Sequence, residues 1–221
     1  MKKELTIIAL AAAMLAAGTA NAQLGINAGY APVTITNATT SGNSTTTTTV
    51  DMDGFFAGVN YNLNLSGELG LSFGLQGHFN TKTSKGSADY IVISGNDEAT
   101  TTQVLLDVPV LANYSLALGS SAKLSLFAGP TISYALSGNT HVKSTTTLLG
   151  NTSTTETDYD MYGDNSNSER LDLSATFGVA LIYNDFRLFG GYRFGLLDLD
   201  QRDNVKSTTG GLFFGLGYAL R

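Results

Sequence analysis

The stretch GGLFFGLGYALR, residues 210–221, decides the fold. Leu212, Phe214, Leu216, Tyr218 and Leu220 take every second position, with Phe213, Gly215, Gly217, Ala219 and Arg221 between them. A period of two belongs to a strand with two unlike faces. One face is large and apolar, whereas the other is mostly small. A soluble strand sets bulky core residues against charged ones, so this segment asks for a solvent that accepts the apolar face. Hydrocarbon is such a solvent.

The same alternation runs through the chain from Gln23 onward, broken by tracts of Thr, Ser, Asn, Asp and Gly. It predicts eight strands, at about 23–36, 52–64, 67–81, 101–117, 122–137, 170–183, 186–200 and 208–221. Helical spacing is sustained nowhere in this part. NLSGE (64–68), LGSSAK (118–123) and YND (183–185) are tight turns, while 37–51, 82–100, 138–169 and 201–207 are longer and polar. Short and long connections alternate, as they do in an up-and-down barrel with periplasmic turns and extracellular loops. In the sixth strand Leu171, Leu173, Ala175, Phe177, Val179, Leu181 and Tyr183 face one way, with Asp172, Ser174, Thr176 and Gly178 opposite. The third sets Leu69, Leu71, Phe73, Leu75 and Phe79 against Glu68, Ser72, Gln76, His78 and Asn80. Each apolar face covers roughly the 9–11 residues that a tilted strand needs to cross hydrocarbon.

A soluble β-sandwich is the competing fold, because it also alternates. Its outer face would carry Lys, Glu and Arg; here that face is Gly, Ala, Ser, Thr and Asn. Tyr30, Tyr61, Tyr114, Tyr134, Tyr183 and Tyr218 recur near strand ends, where an interfacial aromatic girdle would stand. Barrel closure also pairs every strand edge, as lipid demands. The expected class is all-β, an eight-stranded antiparallel up-and-down transmembrane β-barrel.

Composition supports it. Only 14% of the 221 residues are charged and 25 are Gly, while Cys and Trp are absent. Without Cys no disulfide forms. A net charge of -6 and a pI near 4.7 speak against nucleic acid as a partner. The N-terminus has Lys2 and Lys3, an apolar stretch from Leu5 to Ala17 and the small-residue site Ala20-Asn21-Ala22. Residues 1–22 are therefore expected to be a secretory signal peptide, with the barrel domain at 23–221. No later apolar run is long enough for a spanning helix.

At the level of motifs the chain resembles the outer-membrane β-barrel domain family, the porin-family small barrels of Bacteroidetes type. DVPVLANYSL (107–116) is similar to that family's acidic-aliphatic-Pro-aliphatic strand, AGPTISYALSG (128–138) to its Gly-Pro strand, and FGVALIYNDFRLFGGYRFGLLDL (177–199) to its late hairpin. GLGYALR resembles the closing signal, with Leu220 where Phe is expected and Arg221 added. The resemblance implies the bacterial outer membrane, with membrane lipid and the barrel-assembly machinery as partners. It speaks to architecture rather than to activity.

An eight-stranded barrel is just wide enough inside to be filled by side chains. The inward positions predict a structural lumen network of Glu68, Gln76, Asp107, Asn113, Asp172, Arg187 and Arg193, with charges pairing because lipid excludes them. Such a plugged lumen argues against a wide pore. Catalysis needs a nucleophile with a base in reach. His78 lies in QGHFN without the Ser two positions on that a lipid A deacylase pattern requires, and His141 with Ser144 lies in a Ser- and Thr-rich loop. No catalytic residue is assigned and the chain is expected not to be an enzyme. Asp158, Asp160, Gly163 and Glu169 match calcium-loop positions only in part, because Tyr162 replaces a ligand, so no metal or cofactor is expected. The Thr tracts at 44–50 and 143–158 are either solvated loops or strands prolonged above the membrane, whose edges could take an added strand. A monomer with a structural or adhesion-like role through its loops, towards host or cell-surface ligands, is the expected function. A narrow pore for small solutes and lipid A modification stand second and third.

Overall fold

The computed structural model describes residues 22–90, 93–149, 151–163 and 166–220, and among these no helix occurs. The expected signal peptide lies outside the described residues except for Ala22. The strands are β1 (Ala22–Tyr30), β2 (Val33–Ser41), β3 (Ser44–Ser66), β4 (Leu69–Tyr90), β5 (Ile93–Ala117), β6 (Ala122–Leu148), β7 (Asn151–Asp160), β8 (Leu171–Tyr183), β9 (Phe186–Gly195) and β10 (Val205–Leu220).

Ten segments build eight barrel strands. β1 and β2 keep one register against both neighbours, with Tyr30 opposite Phe55 and Val33 opposite Met52 on β3. Pro32 has no N–H to give and interrupts the ladder without shifting it. Ala31 still donates to the Gly54 carbonyl at 2.8 Å. β7 and β8 share β6 as their partner, β7 along its far half and β8 along its near half.

The seam closes as the terminal stretch demands. β10 pairs with β1 from Leu24 opposite Leu220 to Tyr30 opposite Phe214, then with β2 from Thr34 opposite Gly210 to Thr39 opposite Val205. Its other side pairs with β9. Following the partners from Ala22 through Leu63, Leu71, Ala112, Ala128, Phe177, Tyr192 and Leu212 leads back to the first strand level with Pro32. That ten-residue stagger between Ala22 and Pro32 is the shear that tilts the strands by about 35–45° to the barrel axis.

Burial is inverted relative to a soluble fold. On β10, Leu212, Phe214 and Leu216 are 59–66% exposed on the outer face of the barrel, whereas Thr131, Ser174 and Asp107 are at most 1% exposed inside. A sandwich would reverse these values and would leave its sheets with unpaired edges.

The tight turns fall where the sequence places them. Gly67 and Asn184 take the left-handed backbone conformation in two-residue turns, which Gly tolerates at no cost and Asn tolerates better than most residues. The long connections follow the second of the two readings open for their Thr tracts, strands prolonged beyond the barrel. Residues 37–41, 44–51, 82–90, 93–100 and much of 138–160 are strand. β6 alone has 27 residues, a contour of roughly 90 Å, against the 9–11 residues hydrocarbon needs. β4 parts from β3 beyond Thr81, and from there β4, β5, β6 and β7 continue together as a four-stranded sheet beyond the barrel. β9 also ends early, at Gly195 rather than 200.

Candidate functional site: lumen, vestibule and projecting sheet

Glycines on the inner face make room for rings. Phe56, Phe127, Phe189 and Phe213 point inward and form one layer, with centroids 6.1 Å apart for Phe56 and Phe189, 6.4 Å for Phe189 and Phe213, and 6.2 Å for Phe213 and Phe127. A Cβ on Gly215 would meet the Phe189 and Phe56 rings at 2.8 and 3.0 Å, and one on Gly178 the Phe127 ring at 2.5 Å. The small face of the terminal strand is thus a bed for aromatic side chains supplied by its neighbours. The space left within this layer is about 60 Å³, enough only for a few waters. Arg187 lies over Phe127 and Phe189, at 5.2 and 5.3 Å from their centroids.

Several of the residues expected in the lumen make side-chain contacts inside the barrel. Arg193 donates to Asp107 Oδ2 at 2.5 Å. His78 Nε2 lies 3.2 Å from the same oxygen, without hydrogen-bond alignment, and its ring stacks on Phe56 at 5.2 Å. Asp172 accepts from the Thr209 hydroxyl at 2.6 Å. Towards the end with short turns the network is neutral: Asn113 donates to Ser72, Ser72 to Asn62, Gln76 to Asn27 and Asn27 to Asn60.

Two expectations are corrected. Arg187 has aromatic faces rather than a carboxylate beneath it, because cation–π contact satisfies a desolvated guanidinium where no acid reaches it. Glu68 sits exposed in the Gly67–Glu68 turn at the barrel mouth, because the chain has already left the wall there. The four inward phenylalanines were not foreseen; their signal is Phe at small-face positions, such as Phe213 between Leu212 and Phe214.

Beyond the aromatic layer the barrel widens into an outward-opening vestibule of about 590 Å³. His78, Asn80, Asp107, Asp172 and Arg193 line its depth. Met161, Tyr162, Ser168, Glu169 and Arg170 line its mouth, and two of them are tied down. Gln103 donates to the Tyr162 hydroxyl at 3.3 Å, while Arg170 donates to the carbonyls of Ala135, Leu136 and Tyr162 at 3.0–3.2 Å and covers the Tyr162 ring. Burial raises the Tyr162 hydroxyl above its ordinary pKa. Opposite, Arg202 grips Asp200 through Nε at 2.8 Å and Nη2 at 2.6 Å. These hydrogen bonds hold the Asp200 carboxyl below its usual range.

The projecting sheet carries a cross-strand charge ladder. Lys85 stands opposite Glu98, Glu98 opposite Lys143 and Lys143 opposite Glu156. The outer two pairs are ion pairs of 3.3 and 3.1 Å. One rung further in, His141 Nδ1 lies 2.8 Å from Asp158 Oδ1, an exposed contact at hydrogen-bond distance. Thr83–Thr100, Thr101–Thr140 and Thr147–Thr152 hydroxyl pairs flank this ladder on both sides. Asp158 and Asp160 lie on β7, not in a loop; Asp160 accepts from the Tyr162 N–H, and Glu169 from Gln201. Tyr61, Tyr114, Tyr183 and Tyr218 lie within a few residues of the short-turn end, with Tyr30 and Tyr134 nearer the vestibule. Tyr30 donates to Asp53 at 2.6 Å.

The sequence profile of the outer membrane protein beta-barrel domain family matches residues 14–201. The chain belongs to that family. As a member of it, the protein resides in the bacterial outer membrane. Comparison with curated proteins finds no match. Among solved structures, the chain is similar to the attachment invasion locus protein Ail of Yersinia pestis, with 14% identity over 90% of this chain and 99% of that one and a TM-score of 0.33. It is also similar to Neisserial surface protein A, with 15% identity over 88% and 96% of the chains and a TM-score of 0.34. The outer membrane protease OmpT of Escherichia coli matches with 11% identity over 91% and 97%, at a TM-score of 0.41.

Proposed function

We propose that this outer-membrane barrel is a surface-interaction protein of adhesion-like role, whose membrane part is a sealed support and whose working part is the projecting sheet. The observation that carries this reading is the continuation of β4 to β7 beyond the barrel as one hydrogen-bonded sheet with cross-strand ion pairs. Mobile loops would lose conformational entropy on binding, whereas a preformed sheet does not. Among the described residues the outer edge of β7 has no strand beside it, and every residue of β7 is exposed. Its free N–H and C=O groups suit an added strand, and Glu156, Asp158 and Asp160 favour an extended segment rich in Lys or Arg. The aromatic layer, the lumen network and the tyrosine belts serve folding and anchorage in this account.

The test is a variant in which Val142–Thr157 is replaced by Asn-Gly, shortening the β6–β7 hairpin while leaving the barrel wall intact. It is expected to keep the heat-dependent gel shift of a folded barrel and to lose the attachment that full-length protein confers on expressing bacteria, measured on epithelial monolayers and on neighbouring cells. Equal attachment by both forms contradicts the proposal. So do stable channels from the full-length protein in planar bilayers, which would restore the narrow pore.

A further inference from the structure

We infer that the cavity at the short-turn mouth is a binding site for a small oxyanion, a single phosphate or carboxylate group held by Arg187. It lies at the opposite end of the barrel from the vestibule and the projecting sheet, and the phenylalanine layer forms its floor. All three short turns contribute to its rim, through Gly67 and Glu68, Ser120 and Ser121, and Asn184 and Asp185. At about 290 Å³ it stands at the lower limit of ordinary small-molecule sites, which suits one compact group.

Arg187 marks the deep end, because it borders both this cavity and the narrow space within the aromatic layer. Among the described residues its guanidinium has no hydrogen-bond acceptor and no carboxylate as partner; its contacts are the rings of Phe127 and Phe189. The rings answer its charge but offer no oxygen to its N–H groups. Nε is enclosed, beyond the reach of any occupant, whereas Nη1 and Nη2 are not. A planar fork of N–H donors matches two oxygens of one carboxylate or phosphate, which accept parallel hydrogen bonds from it.

The facing wall adds donors. Asn60 accepts from Asn27 through Oδ1 at 3.2 Å, and Asn62 accepts from Ser72 through Oδ1 at 2.5 Å. Each amide thus commits its oxygen within the protein and keeps its Nδ2 group, which has no acceptor among the described residues and is not enclosed. Strands β1 and β10 run between these asparagines on β3 and Arg187 on β9. They place Gly25 opposite Asn60 and Gly217 opposite Arg187, so no side chain fills the space between the amides and the guanidinium. An occupant there meets donors from both walls, and an oxyanion is an acceptor throughout. The acids at this end, Glu68 and Asp185, stand in turns at the rim, as the exposed Lys123 does, where water and salt screen them. The guanidinium, deeper in the lumen, is screened far less.

The experiment uses full-length protein with nitrogen-15 arginine, refolded in an uncharged detergent. Side-chain N–H spectra are followed while inorganic phosphate, and separately acetate, replaces chloride at constant ionic strength. The Arg187 signal is the one absent from Arg187→Lys, or from Arg187→Met if the lysine variant lacks the heat-dependent gel shift. A saturable shift of this signal with at least one of the two anions is expected, larger than any shift of the Arg170, Arg193 and Arg202 signals. Asn60→Leu and Asn62→Leu are each expected to weaken the apparent affinity by about tenfold, the loss of one hydrogen bond to a charged group, while Lys206→Ala leaves it unchanged. If one asparagine variant loses the gel shift, the other decides. No saturable shift with either anion, equal shifts of all arginine signals, or unchanged affinity in a folded asparagine variant overturns the inference and leaves the cavity to water. The attachment assay for the β7 edge is unaffected by any of these outcomes.

Discussion

At the scale of single residues, the inner face of the barrel is governed by what its glycines permit. Gly215 accepts the Phe189 and Phe56 rings from two directions, so a branched side chain there must push one of them out of the layer. Gly215→Val is expected to destabilise the folded barrel by about 2 kcal/mol or more, read as a lower urea midpoint for the heat-shifted gel band. Gly67→Ala, in an open turn, is limited to the modest cost of its left-handed backbone. The ion pair makes a second prediction. Arg193→Met leaves Asp107 buried without its cation and should cost about 3 kcal/mol in the same assay, whereas Arg193→Met with Asp107→Leu should recover most of the loss. If the double variant is no more stable than the single one, the lumen pair is not the source. Asp107, Asp172 and Arg193 were legible as inward residues because alternation fixes a side chain's face. What Arg187 rests on was not, because cross-lumen neighbours depend on barrel shear, and shear has no signature in a single strand.

At the scale of elements, the surplus length of β3 to β6 separates a membrane part from an outer part. Alternation marked the membrane part because lipid on one side and a packed lumen on the other force unlike faces. The outer part has water on both sides, so its Thr, Ser and Lys residues show no such contrast and look like loops. Thr propensity was the available sign, and Thr pairs across the rungs are what it produced. Limited proteolysis of the folded protein should therefore spare 93–102 and 139–148, which lie in the interior of the sheet; rapid cutting there would mean that the sheet does not persist in solution. The Asp200–Arg202 clamp at the vestibule mouth adds a pH dependence. Its carboxyl is held below the ordinary value of about 3.9, so the clamp is complete above that pH and opens as pH falls through the lowered value. Carboxyl-carbon NMR should place the Asp200 titration below 3.9, and Arg202→Gln should move it upward. An unchanged titration in the variant would show that the guanidinium is not the cause.

At the scale of the whole molecule, closure and plugging do different work. Closure pairs the last strand with the first, so the wall has no free strand edge across the hydrocarbon region. The aromatic layer then divides the interior into an outer vestibule and a smaller cavity of about 290 Å³ at the other mouth. Conductance in planar bilayers should be absent for the full-length protein and should emerge, if anywhere, when Phe189→Ala and Phe213→Ala together thin the layer. Closure itself rests on β10 joining β1, and the chain offers a clean probe of that seam because it has no Cys. Ile26 lies opposite Tyr218, both facing lipid, while Leu216 lies one same-face step along the strand and opposite Ala28 instead. The direct measurement is disulfide formation in isolated outer membranes for Ile26→Cys with Tyr218→Cys, beside Ile26→Cys with Leu216→Cys. The account predicts an intramolecular crosslink in the first pair that keeps the boiled, unreduced chain compact on a gel, and little or none in the second. Equal crosslinking of both pairs, crosslinks only between chains, or none in the first pair would contradict the closed barrel in this register.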